Sequence, residues 1–85
     1  MPDELHVSSL VVHGRPDRLD GIRASLLRMP GVEIHATGPT GKMVVTLETL
    51  SEAEIVNRLT EISLLDGVLS AALVFHHFEQ QRNPD

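Results

Sequence analysis

The chain has no cysteine, no tryptophan and no tyrosine, and only two phenylalanines, Phe75 and Phe78, among its 85 residues. Without cysteine there is neither a disulfide framework nor a thiolate metal site, and small domains that do without disulfides are usual in the cytosol. Two phenylalanines on one segment give no set of rings on separate strands for bases to stack on. Basic residues are scarce too: seven Lys and Arg against twelve Asp and Glu leave a formal net charge of −5. That balance repels a phosphate backbone and favours a basic partner, so nucleic acid is not expected to bind. Long apolar runs are also missing. The longest, Ala71 to Phe75, falls far below the ~18 residues of a membrane span, so no membrane insertion is expected. The start Met1-Pro2-Asp3-Glu4 is acidic where an export or transit signal is basic, which gives a cytoplasmic protein as the expectation.

What is present reads as one small domain, which buries roughly 60% of its unfolded surface. The segment Val68-Leu69-Ser70-Ala71-Ala72-Leu73-Val74-Phe75 carries no charge, Gly or Pro, and its β-branched and aromatic content predicts a strand. A run apolar at both parities implies that both of its faces are covered at least part of the time. Leu5 to His13 predicts a first strand, stopped at Gly14-Arg15-Pro16. Leu19, Ile22, Leu26 and Met29 recur at helical spacing and predict a helix over about 17–28, closed by Pro30-Gly31. Val32 to Ala36 and Lys42 to Glu48 flank the turn cluster Gly38-Pro39-Thr40-Gly41 and predict an antiparallel hairpin. Ser51-Glu52-Ala53-Glu54 fits a capping box before a second helix with the stripe Ile55, Leu59 and Ile62, ending near Leu65.

The two halves echo each other at an offset of 36 residues, with Pro30-Gly31-Val32 answered by Asp66-Gly67-Val68. Two strand–helix–strand units joined by a hairpin make the α+β ferredoxin-like βαββαβ sandwich, a four-stranded antiparallel sheet with both helices on one face. Right-handed crossovers give the strand order 4-1-3-2. The domain is expected over residues 4–79, followed by a polar tail at 80–85.

Strand alternation assigns faces. Val32, Ile34 and Ala36, Met43, Val45 and Leu47, Leu10 and Val12, and Leu69, Leu73 and Phe75 are expected against the helices. The uncovered face then presents Val7, Ser9, Val11 and His13 from the first strand and Val44, Thr46 and Glu48 from the third. From the fourth it presents Val68, Ser70, Ala72, Val74 and His76. A small apolar centre rimmed by Glu33, Glu48 and Glu79 suits an apolar helical peptide with a basic end. A weak homodimer through the same sheet, or a mildly apolar face with no partner, is the competing reading.

No catalytic constellation assembles in this reading. Adjacent His76 and His77 on a strand point to opposite faces and do not share an ion, so no metal site or other cofactor is expected. His13-Gly14-Arg15 offers a single glycine, not a phosphate cradle, and Ser9 has no base and carboxylate behind it.

Ser9-Leu10-Val11-Val12 in the first strand, Pro30-Gly31-Val32-Glu33 after the first helix, and Gly67-Val68-Leu69 leading to Leu73-Val74-Phe75-His76 together resemble the NapD family over about residues 5–79. That family comprises cytoplasmic chaperones of the periplasmic nitrate reductase subunit NapA. The resemblance implies a non-enzymatic ferredoxin-like protein that binds the twin-arginine signal peptide of the NapA precursor as a helix against the sheet. It also implies restraint of premature export and assistance in loading the molybdenum cofactor of NapA. The alternative is a small-molecule-responsive regulatory domain of the same fold that homodimerises through its sheet or helices.

Overall fold

A computed structural model describes residues 4–80, with the side chains of residues 5–78. The elements are β1 (Glu4–Gly14), a 3-10 turn (Pro16–Arg18), α1 (Leu19–Leu27), β2 (Val32–Thr37), β3 (Lys42–Thr49), α2 (Glu52–Ser63) and β4 (Val68–Gln80). The four strands form one antiparallel sheet in the order β2-β3-β1-β4, which is the expected ferredoxin-like topology. β4 reaches Gln80, five residues past the predicted end. The rest of the predicted tail, 81–85, lies outside the described residues, as do Met1, Pro2 and Asp3 of the acidic start.

The core sits between the sheet and the helices. Leu10, Val12, Val32, Met43, Val45 and Leu47 are buried from the strands, Ile22 and Leu26 from α1, and Ile55 and Ile62 from α2. Leu19, Met29, Ile34 and Leu59 pack against them half-buried. Both helical stripes and the faces assigned to β1 and β3 therefore stand as read. The first turn of the predicted helix is a 3-10 turn, with the Leu19 N–H donating to Pro16 O. At α2 the Glu54 N–H donates to Ser51 Oγ at 3.3 Å, but the Glu54 carboxylate reaches the Leu50 N–H instead of closing the box on Ser51.

The echo of the two halves is a repeated turn. Gly31 and Gly67 both hold positive φ, 79° and 92°, and behind each the following residue donates back across the turn, Val32 N–H to Met29 O and Val68 N–H to Leu65 O. Only glycine enters this conformation without strain. At Gly31 a side chain would also run into the Glu48 carbonyl.

Alternation fails at three places. The register of β1 with β4 shifts between Ser9 and Leu10 and again between His13 and Gly14, passing over Val74 and Leu69. A bulge of this kind inserts a residue without a partner, so every residue beyond it changes face relative to strict alternation. Directly opposed residues share a face. Phe75, expected in the core, stands opposite Ser9 on the uncovered side and is 59% exposed. Val68, expected on the open side, lies opposite Gly14 and packs on the core. His76, also expected there, lies opposite Ser8 on the helix side. Leu69, expected in the core, and Val74, expected on the open face, are the residues without partners, and both are exposed. On β2 a shift between Ile34 and Ala36 sets Ala36 opposite Val44, exposed and out of the core. β4 and β2 are the two edge strands, where bulges concentrate.

Candidate binding face of the sheet

The uncovered side is built in rows across the strands. Val7 lies between Glu48 of β3 and His77 of β4, Ser9 between Thr46 and Phe75, Val11 between Val44 and Ala72, and His13 between Lys42 and Ser70. β2 extends two of these rows, Glu33 opposite Thr46 and Ala36 opposite Val44. Val7, Ser9, Val11, His13, Val44, Thr46, Glu48, Ser70 and Ala72 thus share the surface expected of them. His76 does not, Val74 is the exposed bulge residue outside the paired rows, and Phe75 and His77 stand in the rows on this side.

The centre of the face is apolar and low, with Val11, Val44, Ala36 and Ala72 in one row and the Phe75 ring in the next. Among the described residues no helix covers it, and the β1 side chains Val7, Ser9, Val11 and His13 are half-buried. Charge is separated along the strands. Glu33 and Glu48 stand toward one end and Lys42 at the other. His35 Nε2 lies 2.7 Å from Thr46 Oγ1 and 3.9 Å from Glu33 Oε2, tying the β2 rim to the centre. Glu48 also borders a cavity of about 410 Å³ at the acidic end, lined by Leu5, Pro30, Leu50, Glu54 and Arg58 among others. Arg58 is engaged there by Glu61 at 2.9 Å. The side chain of Glu79, the third acid expected on the rim, lies outside the described residues.

On the other side of the same ribbon the helices bury three polar residues that the sequence reading did not place in the core: His6, Ser8 and Thr49. His6 Nδ1 lies 2.9 Å from His76 Nε2, and the Phe78 ring lies 4.7 Å from the His6 ring. Ser8 Oγ is buried with no hydrogen-bond partner among the described residues. The signal for this cluster was available in parity alone, since His6 and Ser8 continue the alternation of Leu10 and Val12. Among the described residues no three His, Asp or Glu groups converge as metal ligands, and no helix is long and apolar enough to cross a membrane.

A four-stranded antiparallel sheet backed by two helices, with a charge-graded opposite face, defines a ferredoxin-like module. The family model described as NapD protein matches residues 5–80. The chain belongs to the NapD family. It is 42% identical over 71 residues to the chaperone NapD of Paracoccus pantotrophus, an alignment covering 84% of this chain and 62% of that protein. The chaperone NapD of Escherichia coli is 30% identical over 76 residues, covering 88% and 87% of the two chains. The solution structure of the E. coli Tat proofreading chaperone protein NapD superposes with a TM-score of 0.82 at 28% identity, covering 100% of this chain and 90% of that one. These relatives are named as chaperones and not as enzymes, in line with the non-enzymatic reading of the sequence.

Proposed function

We propose that this protein is a cytoplasmic chaperone that binds the twin-arginine signal peptide of the NapA precursor, holds it back from premature export and assists cofactor loading before transport. The observation that carries this reading is the uncovered face: a low apolar centre at Val11, Val44 and Ala72, with carboxylates at Glu33 and Glu48 toward one end. A helical peptide laid along the strands buries its apolar side on that centre. Its basic end lies over the two acids and away from Lys42. The description of the E. coli relative as a Tat proofreading chaperone supports the same ligand class.

Titration calorimetry with a synthetic twin-arginine signal peptide, and with its Arg-to-Gln counterpart, tests the proposal. Heat with the first and a much weaker response with the second is the expected result. No heat with either peptide, together with a stable dimer in light scattering, favours instead a regulatory domain that pairs through its sheet or helices.

A further inference from the structure

The cavity at the acidic end of the sheet follows from unequal strand lengths. β3 ends at Thr49, opposite His6, whereas β1 runs on to Leu5 and Glu4 against β4. On the other side β2 starts at Val32, opposite Leu47, so the Pro30-Gly31 turn flanks the end of β3 there. The result is a notch of about 410 Å³ past the end of β3, walled by Leu5, Pro30 and Gly31, with Leu50, Glu54 and Arg58 on the path into α2. Its frame is held by hydrogen bonds. The Glu48 N–H donates to Gly31 O at 2.9 Å, and Thr49 Oγ1 donates to Ser51 O at 3.0 Å. The volume falls within the ~300–1,000 Å³ of sites that take small ligands.

The lining combines aliphatic walls with carboxylates from two elements. Leu5, Pro30 and Leu50 are apolar, while Glu48 reaches the notch from β3 and Glu54 from the first turn of α2. Among the described residues the Glu48 carboxylate makes no hydrogen bond or ion pair. Glu54 Oε2 accepts from the Leu50 N–H at 3.3 Å, which leaves its other oxygen able to accept. Arg58, the cation in the same lining, is already held by Glu61 at 2.9 Å. An apolar wall with acids beside it matches a side chain that has an aliphatic stem and a cationic head, and a planar guanidinium can accept two carboxylates at once where an ammonium is a point charge.

We propose that this notch receives one arginine side chain of the twin-arginine peptide, with its methylenes against Leu5, Pro30 and Leu50 and its guanidinium at Glu48 and Glu54. The inference rests on the proposed function for its ligand, and it extends the binding surface off the sheet, around the end of β3, to Glu54 of α2. Glu48 belongs to both surfaces, since it stands opposite Val7 on the open face and also lines the notch. A helical peptide whose basic end lies over Glu33 and Glu48 therefore brings an arginine to the mouth of the notch. Neighbouring residues of a helix point ~100° apart, so one arginine of an adjacent pair enters while the other stays at the solvated rim. The two arginines are thus unequal, and the one that enters carries the larger share of affinity because its charge is less screened.

A double-substitution cycle tests this. Calorimetry compares the natural protein, Glu54→Gln and Glu52→Gln, each with the twin-arginine peptide and with two peptides in which one or the other arginine is glutamine. A glutamine at 54 still accepts from the Leu50 N–H, and Glu52→Gln removes the same charge from the same turn of α2 but outside the notch lining. Glu54→Gln should weaken the twin-arginine peptide at least about tenfold and Glu52→Gln far less. The loss from Glu54→Gln should vanish with the peptide lacking one particular arginine and persist with the peptide lacking the other. Unchanged affinity in Glu54→Gln, equal losses in the two variants, or a loss that adds in full with both substituted peptides would overturn the notch and leave the proposed function standing. If the natural protein binds no peptide, the proposed function fails, and the notch is then decided without peptide. N-acetyl-arginine amide and its neutral citrulline counterpart are titrated into the natural protein while the methyl signals of Leu5 and Leu50 are followed by NMR. Shifts with the arginine compound alone support the notch, and no shift, or equal shifts with both, refutes it. The same titration decides should Glu54→Gln not fold.

Discussion

Ser9 of β1 and Phe75 of β4 stand opposite each other on the uncovered face, and the Phe75 ring is the largest apolar group that face carries. It is there because Val74 is unpaired, and with the ring on the helix side the proposed peptide surface would hold only Val and Ala side chains at its centre. Phe75→Ala should therefore weaken binding of a twin-arginine peptide at least about tenfold. Its cost in stability should stay near or below about 1 kcal/mol, since the ring is more than half exposed. Calorimetric titration and urea unfolding of the same sample check the two halves. A large loss of stability with unchanged binding would return Phe75 to a structural role.

Charge separation along the face predicts a response to salt. If Glu33 and Glu48 meet the basic end of the peptide, affinity should fall as ionic strength rises, chiefly through a slower on-rate, because exposed pairs are screened over a Debye length of ~8 Å at physiological salt. Stopped-flow association at several salt concentrations reads this directly. Equal affinity throughout would assign the binding to apolar contact alone.

Ser8 gives a prediction of opposite sign to most core substitutions. Its hydroxyl is buried and has no hydrogen-bond partner among the described residues, so the fold carries its desolvation without return. Ser8→Ala should leave stability unchanged or raise it by about 1–3 kcal/mol. The urea midpoint checks this, and a fall in that midpoint would mean that the hydroxyl has a partner in solution.

The parts of the fold legible in the chain were those with punctuation. Pro30-Gly31, Asp66-Gly67 and Gly38 to Gly41 mark turns by residues that few other conformations tolerate, and on β3 the polar residues Lys42, Thr46 and Glu48 share one parity, which leaves one reading of its faces. Val68 to Phe75 has neither aid. Every residue in it is uncharged, so a one-residue shift moves nothing expensive to the wrong side, and neither Leu69 nor Val74 announces a bulge as a glycine would. The binding face was consequently legible on β1 and β3 and wrong in part on β4. His6 and Ser8 escaped for a related reason: polar residues near a strand end are most often solvated, whereas here both are buried, with His76 and Phe78 of β4 set against His6.

Face assignment on the part of β4 between its two bulges can be tested against that of β1. Ala72 lies opposite Val11 on the open side and is exposed, while Leu10 is fully buried on the helix side. Ala72→Trp sets a large ring into the row where a helical peptide approaches β1 and β4, and should weaken peptide binding at least about tenfold, or ~1.4 kcal/mol, with little change in melting temperature. Leu10→Ala removes a core side chain and should cost roughly 2–5 kcal/mol of stability. Its peptide affinity, measured at a temperature where it remains folded, should change far less than that of Ala72→Trp. The comparison uses thermal melting and titration on both variants, so that a loss of folded protein is not mistaken for a loss of binding. If Ala72→Trp unfolds the chain while Leu10→Ala leaves it intact, the two faces are exchanged, and the peptide must be sought on the side carrying His76 and Phe78.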